Sequence, residues 1–105
     1  MSSRNFRIDW DTEAVNALES IYDYGVESWS VLQADKYLSR ILEIVSLLGL
    51  NPEIGRSRED IGPDLRSFPV ENHIIYYRTK REVTTIVALL HASVDTVKHF
   101  EKPKL

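Results

Sequence analysis

The sequence contains no cysteine, and this absence excludes disulfide bridges and thiolate metal centres from its 105 residues. A chain without disulfides suits a reducing compartment, so we expect a cytoplasmic protein. The three histidines, His73, His91 and His99, do not show the spacing of a metal site. No glycine-rich loop leads from a strand into a helix either, so we expect neither a metal nor another cofactor.

Long hydrophobic runs are also missing. No apolar stretch approaches the roughly 20 residues that a membrane span requires, and the first residues do not show the charged start and apolar run of a signal peptide. We therefore expect no contact with a membrane. The chain also lacks low-complexity tracts and internal repeats, so we interpret residues 1–105 as a single domain with one core.

Positive charge is scarce in the first part of the chain and enriched in the second. Residues 1–64 contain six Lys or Arg against twelve Asp or Glu, whereas residues 65–105 contain seven against four. Such an asymmetry is ordinary for the surface of a small domain. The functional interpretation is that the second part binds an acidic partner, either nucleic acid or an acidic protein segment.

The first half of the chain predicts one strand and two helices. Residues 6–10 alternate apolar and charged side chains, as a half-buried strand does. Asp11 follows as a helix N-cap. Apolar residues then recur at helical spacing over residues 14–25 and again over residues 31–48, which predicts two amphipathic helices.

The short junction between these helices predicts an antiparallel helical hairpin. Ser28 or Ser30 is expected to cap the second helix. Trp10 and Trp29 flank the first helix, and we interpret both as core or helix-packing residues. The functional alternative is an aromatic anchor for a partner.

The second half predicts a loop over residues 51–64 and then three strands joined by tight turns. The strands are expected at residues 65–70, 73–78 and 83–91. Pro69 cannot donate a ladder hydrogen bond, so the first of them should lie near a sheet edge or contain a bulge. A short helical tail should begin after Asp95. The fold class is therefore α+β, in the order β-α-α-β-β-β-(α), with the hairpin packed on a small, mostly antiparallel sheet.

One enzymatic hypothesis can be drawn from the second half. RNA cleavage needs a base, an acid and cations that stabilise the phosphate. His91 ends the last strand, and Arg66, Arg78 and Arg81 are near it in sequence, so these four are the candidate catalytic residues. The competing interpretation is structural, with His91 as a hydrogen-bonded residue that closes a strand and Arg66 paired with a helix carboxylate.

Six segments of the sequence, in order, resemble the ParE branch of the RelE/ParE superfamily of bacterial toxins. They are residues 18–24, 34–41, 51–56, 65–68, 73–78 and 89–91. The resemblance covers nearly the whole chain and implies the RelE/ParE-like fold. It also implies a non-enzymatic toxin of a type II toxin–antitoxin module, of the kind linked to plasmid stabilisation, that poisons DNA gyrase and blocks replication.

The resemblance implies partners as well. A ParD-like antitoxin would neutralise the toxin in a hetero-oligomer, by wrapping it with a flexible C-terminal segment, and operator DNA would be bound only through that antitoxin. We expect the apolar faces of the two helices and the sheet to leave a groove in which the segment becomes ordered. For target binding we assign four basic residues, Arg81, Lys98, Lys102 and Lys104.

Two departures from the superfamily patterns define the other hypotheses. The RelE branch consists of ribosome-dependent mRNA endoribonucleases, but its frequent catalytic arginine aligns with Ile74 here and no tyrosine follows Tyr77. ParE toxins usually have an arginine where Val94 precedes Asp95. A toxin-fold protein that has lost toxicity is therefore the third hypothesis.

Overall fold

A helical hairpin packs on one face of a mixed sheet in the computed structural model, which describes residues 6–101. The elements are β1 (Arg7–Trp10), α1 (Thr12–Ser28), α2 (Val31–Leu50), β2 (Arg56–Ser57), β3 (Arg66–Val70), β4 (His73–Lys80), β5 (Val83–His91) and α3 (Thr96–Phe100). The sheet order is β1-β5-β4-β3-β2, and only the β1–β5 pair is parallel in the described chain. The α+β class, the element order and the mostly antiparallel sheet are confirmed.

The antiparallel hairpin forms because small residues let α1 and α2 approach closely. A Cβ atom added to Gly25 would lie 3.2 Å from the Cβ of Ala34. The Ser30 hydroxyl caps α2 by accepting a hydrogen bond from the backbone N–H of Gln33 at 3.1 Å, as predicted. Asp11 occupies the N-cap position of α1, but its side chain makes no capping hydrogen bond.

Two local features of the sheet differ from the sequence prediction. The predicted loop contains the two-residue strand β2, which pairs with Arg66 and Ser67 and leaves the rest of β3 without a paired strand on that side among residues 6–101. Pro69 lies in that free part, which confirms the prediction of an edge position.

The turn between β4 and β5 is shorter than predicted, because only Arg81 and Glu82 form it, with φ of 52° and 66°. Two successive positive φ angles are typical of a type I′ hairpin turn.

Side chains cover both faces of the sheet. The face toward the helices forms the main core, which includes Ile41, Leu48, Ile75, Tyr77 and Ile86. The opposite face buries a smaller cluster, formed by Leu65, Tyr76, Ala88 and Leu90 with Phe100 packed against it. Because β5 contributes to both clusters, this strand is covered on both faces.

The two tryptophans have different environments. Trp10 packs against the main core, as predicted. Trp29 is 65% exposed, so its interpretation as a core residue was wrong. It follows the last residue of α1 at the tip of the hairpin, and its ring packs edge to face against Tyr24 of the same helix.

Candidate functional site

An apolar groove lies between the helical hairpin and the turn that joins β3 to β4. Its cavity volume is about 460 Å³, within the range of ordinary ligand sites. The helices supply its apolar lining, which includes Leu18, Ile21, Leu38 and Ile41. Tyr24 and Trp29 line the groove at the hairpin tip, with their ring centroids 6.2 Å apart in an edge-to-face arrangement.

The sheet side of the groove is polar. His73 begins β4 and pairs in register with His91 at the end of β5, and both histidines line the groove. Their ring centroids are 5.3 Å apart, edge to face. The Tyr37 hydroxyl, on α2, lies 2.7 Å from Nδ1 of His73 and also accepts a hydrogen bond from the backbone N–H of Asn72 at 3.2 Å.

Burial sets the charge state of this polar wall. It lowers the pKa of His73, with a further contribution from His91, and it raises the pKa of Tyr37. Both effects favour the neutral form of the side chain. The wall therefore offers hydrogen-bonding groups to a ligand near neutral pH, without a fixed charge from either residue.

The edge of the groove along α1 is acidic. A second cavity of about 420 Å³ adjoins it and shares Leu18, Tyr22 and Leu38 with it, and Glu19 and Asp23 complete its lining. The Tyr22 hydroxyl donates a hydrogen bond of 2.7 Å to Oδ1 of Asp35, and this bond raises the pKa of Tyr22. The groove is thus apolar at its centre and carboxylate-lined at one edge.

The four candidate catalytic residues are not brought together. His91 and Arg81 lie at opposite ends of the nine-residue strand β5, roughly 26 Å apart at about 3.3 Å per residue. Arg66 lies in register with Tyr77, whose ring is in the main core, whereas Arg78 follows Tyr77 in the strand and so points to the other face. A base and its partner groups need hydrogen-bond reach of one substrate, which this arrangement does not provide.

The structural interpretation holds for His91 but needs correction for Arg66. His91 is the last residue of the largely buried β5, and its Nδ1 lies 2.8 Å from the Ser93 hydroxyl in the next turn, although its own side chain is exposed. Arg66 binds backbone carbonyl oxygens instead of a helix carboxylate, at 2.7 Å to Gly55 and 3.3 Å to Glu53. It therefore ties β3 to the segment that follows α2.

The basic residues assigned to target binding are also dispersed. Arg81 is exposed in the β4–β5 turn, and Lys98 is exposed in α3, which follows the other end of β5. Lys102 and Lys104 lie outside the described residues. Val94 is 39% exposed just before Asp95, whose carboxylate caps α3 by accepting a hydrogen bond from the Lys98 N–H at 3.1 Å.

Sequence reasoning kept an exposed Trp29 only as the alternative to a core or helix-packing residue, and it missed the His73–His91 pair. The signal for the exposure of Trp29 was its position directly before the capping Ser30. A residue in the junction between two helices belongs to the apolar face of neither helix, so nothing in the pattern requires it to be buried. No local signal identified the histidine pair.

Across residues 6–101, no group of three or more His, Asp or Glu side chains is placed to hold a metal ion, and no helix there is long and apolar enough to cross a bilayer.

Comparisons with known proteins converge on one family. The family model described as the ParE toxin of the type II toxin–antitoxin system parDE matches residues 8–96. Toxin ParE1 of Mycobacterium tuberculosis is 34% identical over 79 residues, which are 74% of this chain and 81% of that protein. Toxin ParE1 of Caulobacter vibrioides is 26% identical over 82 residues, or 78% of this chain and 84% of that protein. A solved chain of the chromosomal ParDE TA system from P. aeruginosa has the same fold, with a TM-score of 0.71 and 24% identity, covering 82% of this chain and 95% of that chain.

Proposed function

The chain belongs to the ParE toxin family of type II toxin–antitoxin systems, and from that premise we propose that it binds and poisons DNA gyrase in the cytoplasm and so blocks replication. The supporting observation is the family match over residues 8–96, which runs from β1 into α3 and includes the whole groove. A module of this kind would contribute to plasmid stabilisation.

Binding without catalysis is consistent with the geometry of the chain. His91, Arg66 and Arg78 each hydrogen-bond within the protein, to a nearby hydroxyl or to backbone carbonyl oxygens. Arg66 and Arg78 also face opposite sides of the sheet. A gyrase poison needs a complementary surface and no assembled acid–base pair. This favours the gyrase proposal over a ribosome-dependent endoribonuclease.

We propose that the basic residues Arg81, Lys98, Lys102 and Lys104 contribute to the contact with the target. Arg81 and Lys98 are exposed, and neither forms an ion pair with any residue from 6 to 101. Exposed cations of this kind act mainly on the rate of association with an acidic surface, and their effect falls as salt rises.

The second part of the proposal concerns neutralisation. A ParD-like antitoxin would place a flexible segment in the groove between the hairpin and the sheet, in a hetero-oligomer that reaches operator DNA only through the antitoxin. The apolar lining and the exposed Trp29 provide the buried area and the aromatic anchor that such coupled folding and binding uses. The toxin should then melt at a substantially higher temperature with its antitoxin than alone.

The experiment that tests the target is pulse-labelling of DNA and protein synthesis after the chain is induced without antitoxin. We expect DNA synthesis to fall first, with a DNA-damage response, and purified chain to inhibit supercoiling by gyrase. A first fall in protein synthesis would contradict the gyrase target and support the endoribonuclease. If neither falls, toxicity has been lost, and Val94→Arg tests whether the residue before Asp95 is the cause.

The contribution of the basic residues is tested with Arg81→Ala and Lys98→Ala, together and combined with Lys102→Ala and Lys104→Ala. Lys36→Ala is the matched control, because Lys36 is an exposed cation on α2 outside the proposed contact. We expect the fourfold variant to lose growth arrest while it keeps its melting temperature. Growth arrest equal to that of the wild type would refute this assignment.

A further inference from the structure

The charge of α1 is one-sided. Its seventeen residues contain four carboxylates, Glu13, Glu19, Asp23 and Glu27, and neither lysine nor arginine. Glu13 accepts a hydrogen bond from Nε2 of His99 at 2.6 Å. The other three carboxylates have no hydrogen-bond or ion-pair partner within residues 6–101.

Two of these unpaired carboxylates lie beside the groove. Glu19 and Asp23 are four residues apart, so they are neighbours on one helix face, where like charges destabilise a helix. They line the second cavity together with Leu18, Tyr22 and Leu38, the three residues that this cavity shares with the groove. A chain lying in the groove can therefore reach both carboxylates across an apolar surface.

No basic side chain of the described chain neutralises this edge. Arg40, on α2, is directed to Glu71, with an N–O distance of 3.8 Å. Lys36 makes no ion pair with a described carboxylate. The adjoining Asp35 adds a further carboxylate, bound only by the Tyr22 hydroxyl. The edge thus keeps a net negative charge that a partner can complement.

The lining of the second cavity suits a long cationic side chain. Lysine and arginine place their methylene groups on apolar surface and keep the charged group in water. Leu18 and Leu38 provide that surface, with the two carboxylates at its border. The exposed ring of Trp29 at the hairpin tip is a second acceptor for a cation, through its face.

We propose that the occupant of the groove is a basic amphipathic segment, with an arginine or lysine that extends over Leu18 and Leu38 to Glu19 and Asp23. The inference rests on the proposed role of the groove as the antitoxin site and adds the chemistry of the bound segment. Its apolar side chains contact the lining of the groove, and its cation pairs with the acidic edge. Nucleic acid is disfavoured as the occupant because its phosphates carry the same sign of charge as that edge.

The test measures affinity for the full-length antitoxin encoded beside this chain, using Glu19→Gln combined with Asp23→Asn. The control is Glu27→Gln with Glu43→Gln, which removes the same charge from exposed positions that line neither cavity. We expect the first double variant to bind about tenfold more weakly, equivalent to about 1.4 kcal/mol, with a flatter salt dependence. The control should stay within about threefold of the wild type. Equal affinity of the two double variants would overturn the inference.

A charge exchange identifies the partner residue. Glu19→Lys with Asp23→Lys should abolish binding, and replacement of one antitoxin arginine or lysine by glutamate should restore it. Failure of every such single replacement to restore binding would also count against the pairing. Because the substituted side chains are exposed, circular dichroism of each variant should match that of the wild type.

Trp29 fluorescence separates failure of this inference from failure of the antitoxin proposal. A segment in the groove should desolvate the exposed indole and shift its emission, and Trp29→Phe should remove that shift. A shift together with unchanged affinity of the Glu19/Asp23 variant would refute only the cationic contact. No shift at saturating antitoxin would mean that the groove is not the antitoxin site, so both proposals would fail. A dimer of the chain alone, dissociated by the Glu19/Asp23 variant, would make a second copy the occupant and also refute the inference.

Discussion

The Tyr37 hydroxyl lies 2.7 Å from Nδ1 of His73 and so joins the middle of α2 to the first residue of β4. The same oxygen accepts the N–H of Asn72 and can donate to the carbonyl oxygen of Val70 at 3.3 Å. This one side chain therefore holds the turn between β3 and β4 against the helices and sets the position of the polar wall of the groove.

Removal of that hydroxyl should destabilise the fold and loosen the groove. We expect Tyr37→Phe to lower the free energy of unfolding by about 1–3 kcal/mol, since the part-buried groups of His73 and Val70 lose their partner. Urea denaturation measures this change. Tyr24→Phe is the control, because Tyr24 is 65% exposed, and it should change the free energy by no more than about 0.5 kcal/mol. Equal effects of the two substitutions would contradict this role of Tyr37.

Stability should depend on pH through His73. Burial, and to a smaller extent His91, lowers the pKa of His73 in the folded state. Between the folded and the unfolded pKa, the unfolded state therefore binds more protons than the folded state. The contribution of neutral His73 to the free energy of unfolding is complete above the pKa of histidine in the unfolded state, about 6.5. It is lost as the pH falls through the lower pKa of the folded state. The other charged group at this site is Glu71, which is paired with Arg40.

We therefore expect the free energy of unfolding of the wild type to fall between pH 7.5 and pH 5, and to fall less in His73→Asn. Asparagine keeps a polar atom close to the position of Nδ1 but does not titrate. Denaturation curves at several pH values provide the measurement. Parallel pH profiles for the two proteins would assign the dependence to other groups.

Gly55 should tolerate no side chain. The buried Tyr77 hydroxyl donates to the carbonyl oxygen of Pro52 at 2.7 Å and accepts the N–H of Gly55 at 2.9 Å. A Cβ atom at Gly55 would overlap this hydroxyl and lie 2.7 Å from Cζ of the ring. Gly55→Ala should therefore cost about 2–3 kcal/mol of stability, because a packed core cannot move aside.

Gly62→Ala is the matched control for this substitution. Its Cβ atom would lie 2.9 Å from Nη2 of Arg78, the end of a flexible side chain that can shift. We expect a loss of no more than about 1 kcal/mol, as for surface substitutions with small adjustments. Similar melting temperatures for the two alanine variants would show that the segment after α2 is less tightly packed than the structure indicates.

His91→Ala should leave growth arrest intact if the protein acts by binding gyrase. Among residues 6–101, the exposed His91 hydrogen-bonds only with Ser93, so its loss should also change the melting temperature very little. Arg66→Ala should instead lower the melting temperature, because it releases the carbonyl oxygens of Gly55 and Glu53. Loss of arrest in folded His91→Ala protein would support the endoribonuclease hypothesis.

Local patterns predicted most of the architecture, since each feature depends on residues that are neighbours in sequence. The helical spacing of apolar residues predicted α1 and α2, and the hydroxyl of Ser30 predicted the cap between them. The missing N–H of Pro69 predicted the free edge of β3. Asp11 shows the limit of such reasoning, because its identity suits a cap but its side chain does not bond to the helix.

The candidate site was predicted only in outline. A groove between the hairpin and the sheet follows from amphipathic elements that leave part of their apolar faces unpaired. Its composition did not follow, because local patterns do not show that Trp29 is exposed or that His73 meets His91. Likewise, the two-residue strand β2 is too short to produce a periodic pattern and exists because β3 offers it a free edge.

The sequence by itself determined the long helices, the four longer strands, their order and the charge of each helix, because periodicity, capping and composition act over a few residues. The tertiary structure decided which distant side chains meet. The type I′ turn pairs Lys80 with Val83 and by itself would place His73 opposite residue 90, but an irregularity between Tyr76 and Tyr77 shifts the register so that His73 meets His91. Register depends on packing across the whole sheet, and a shift of one residue changes every later partner.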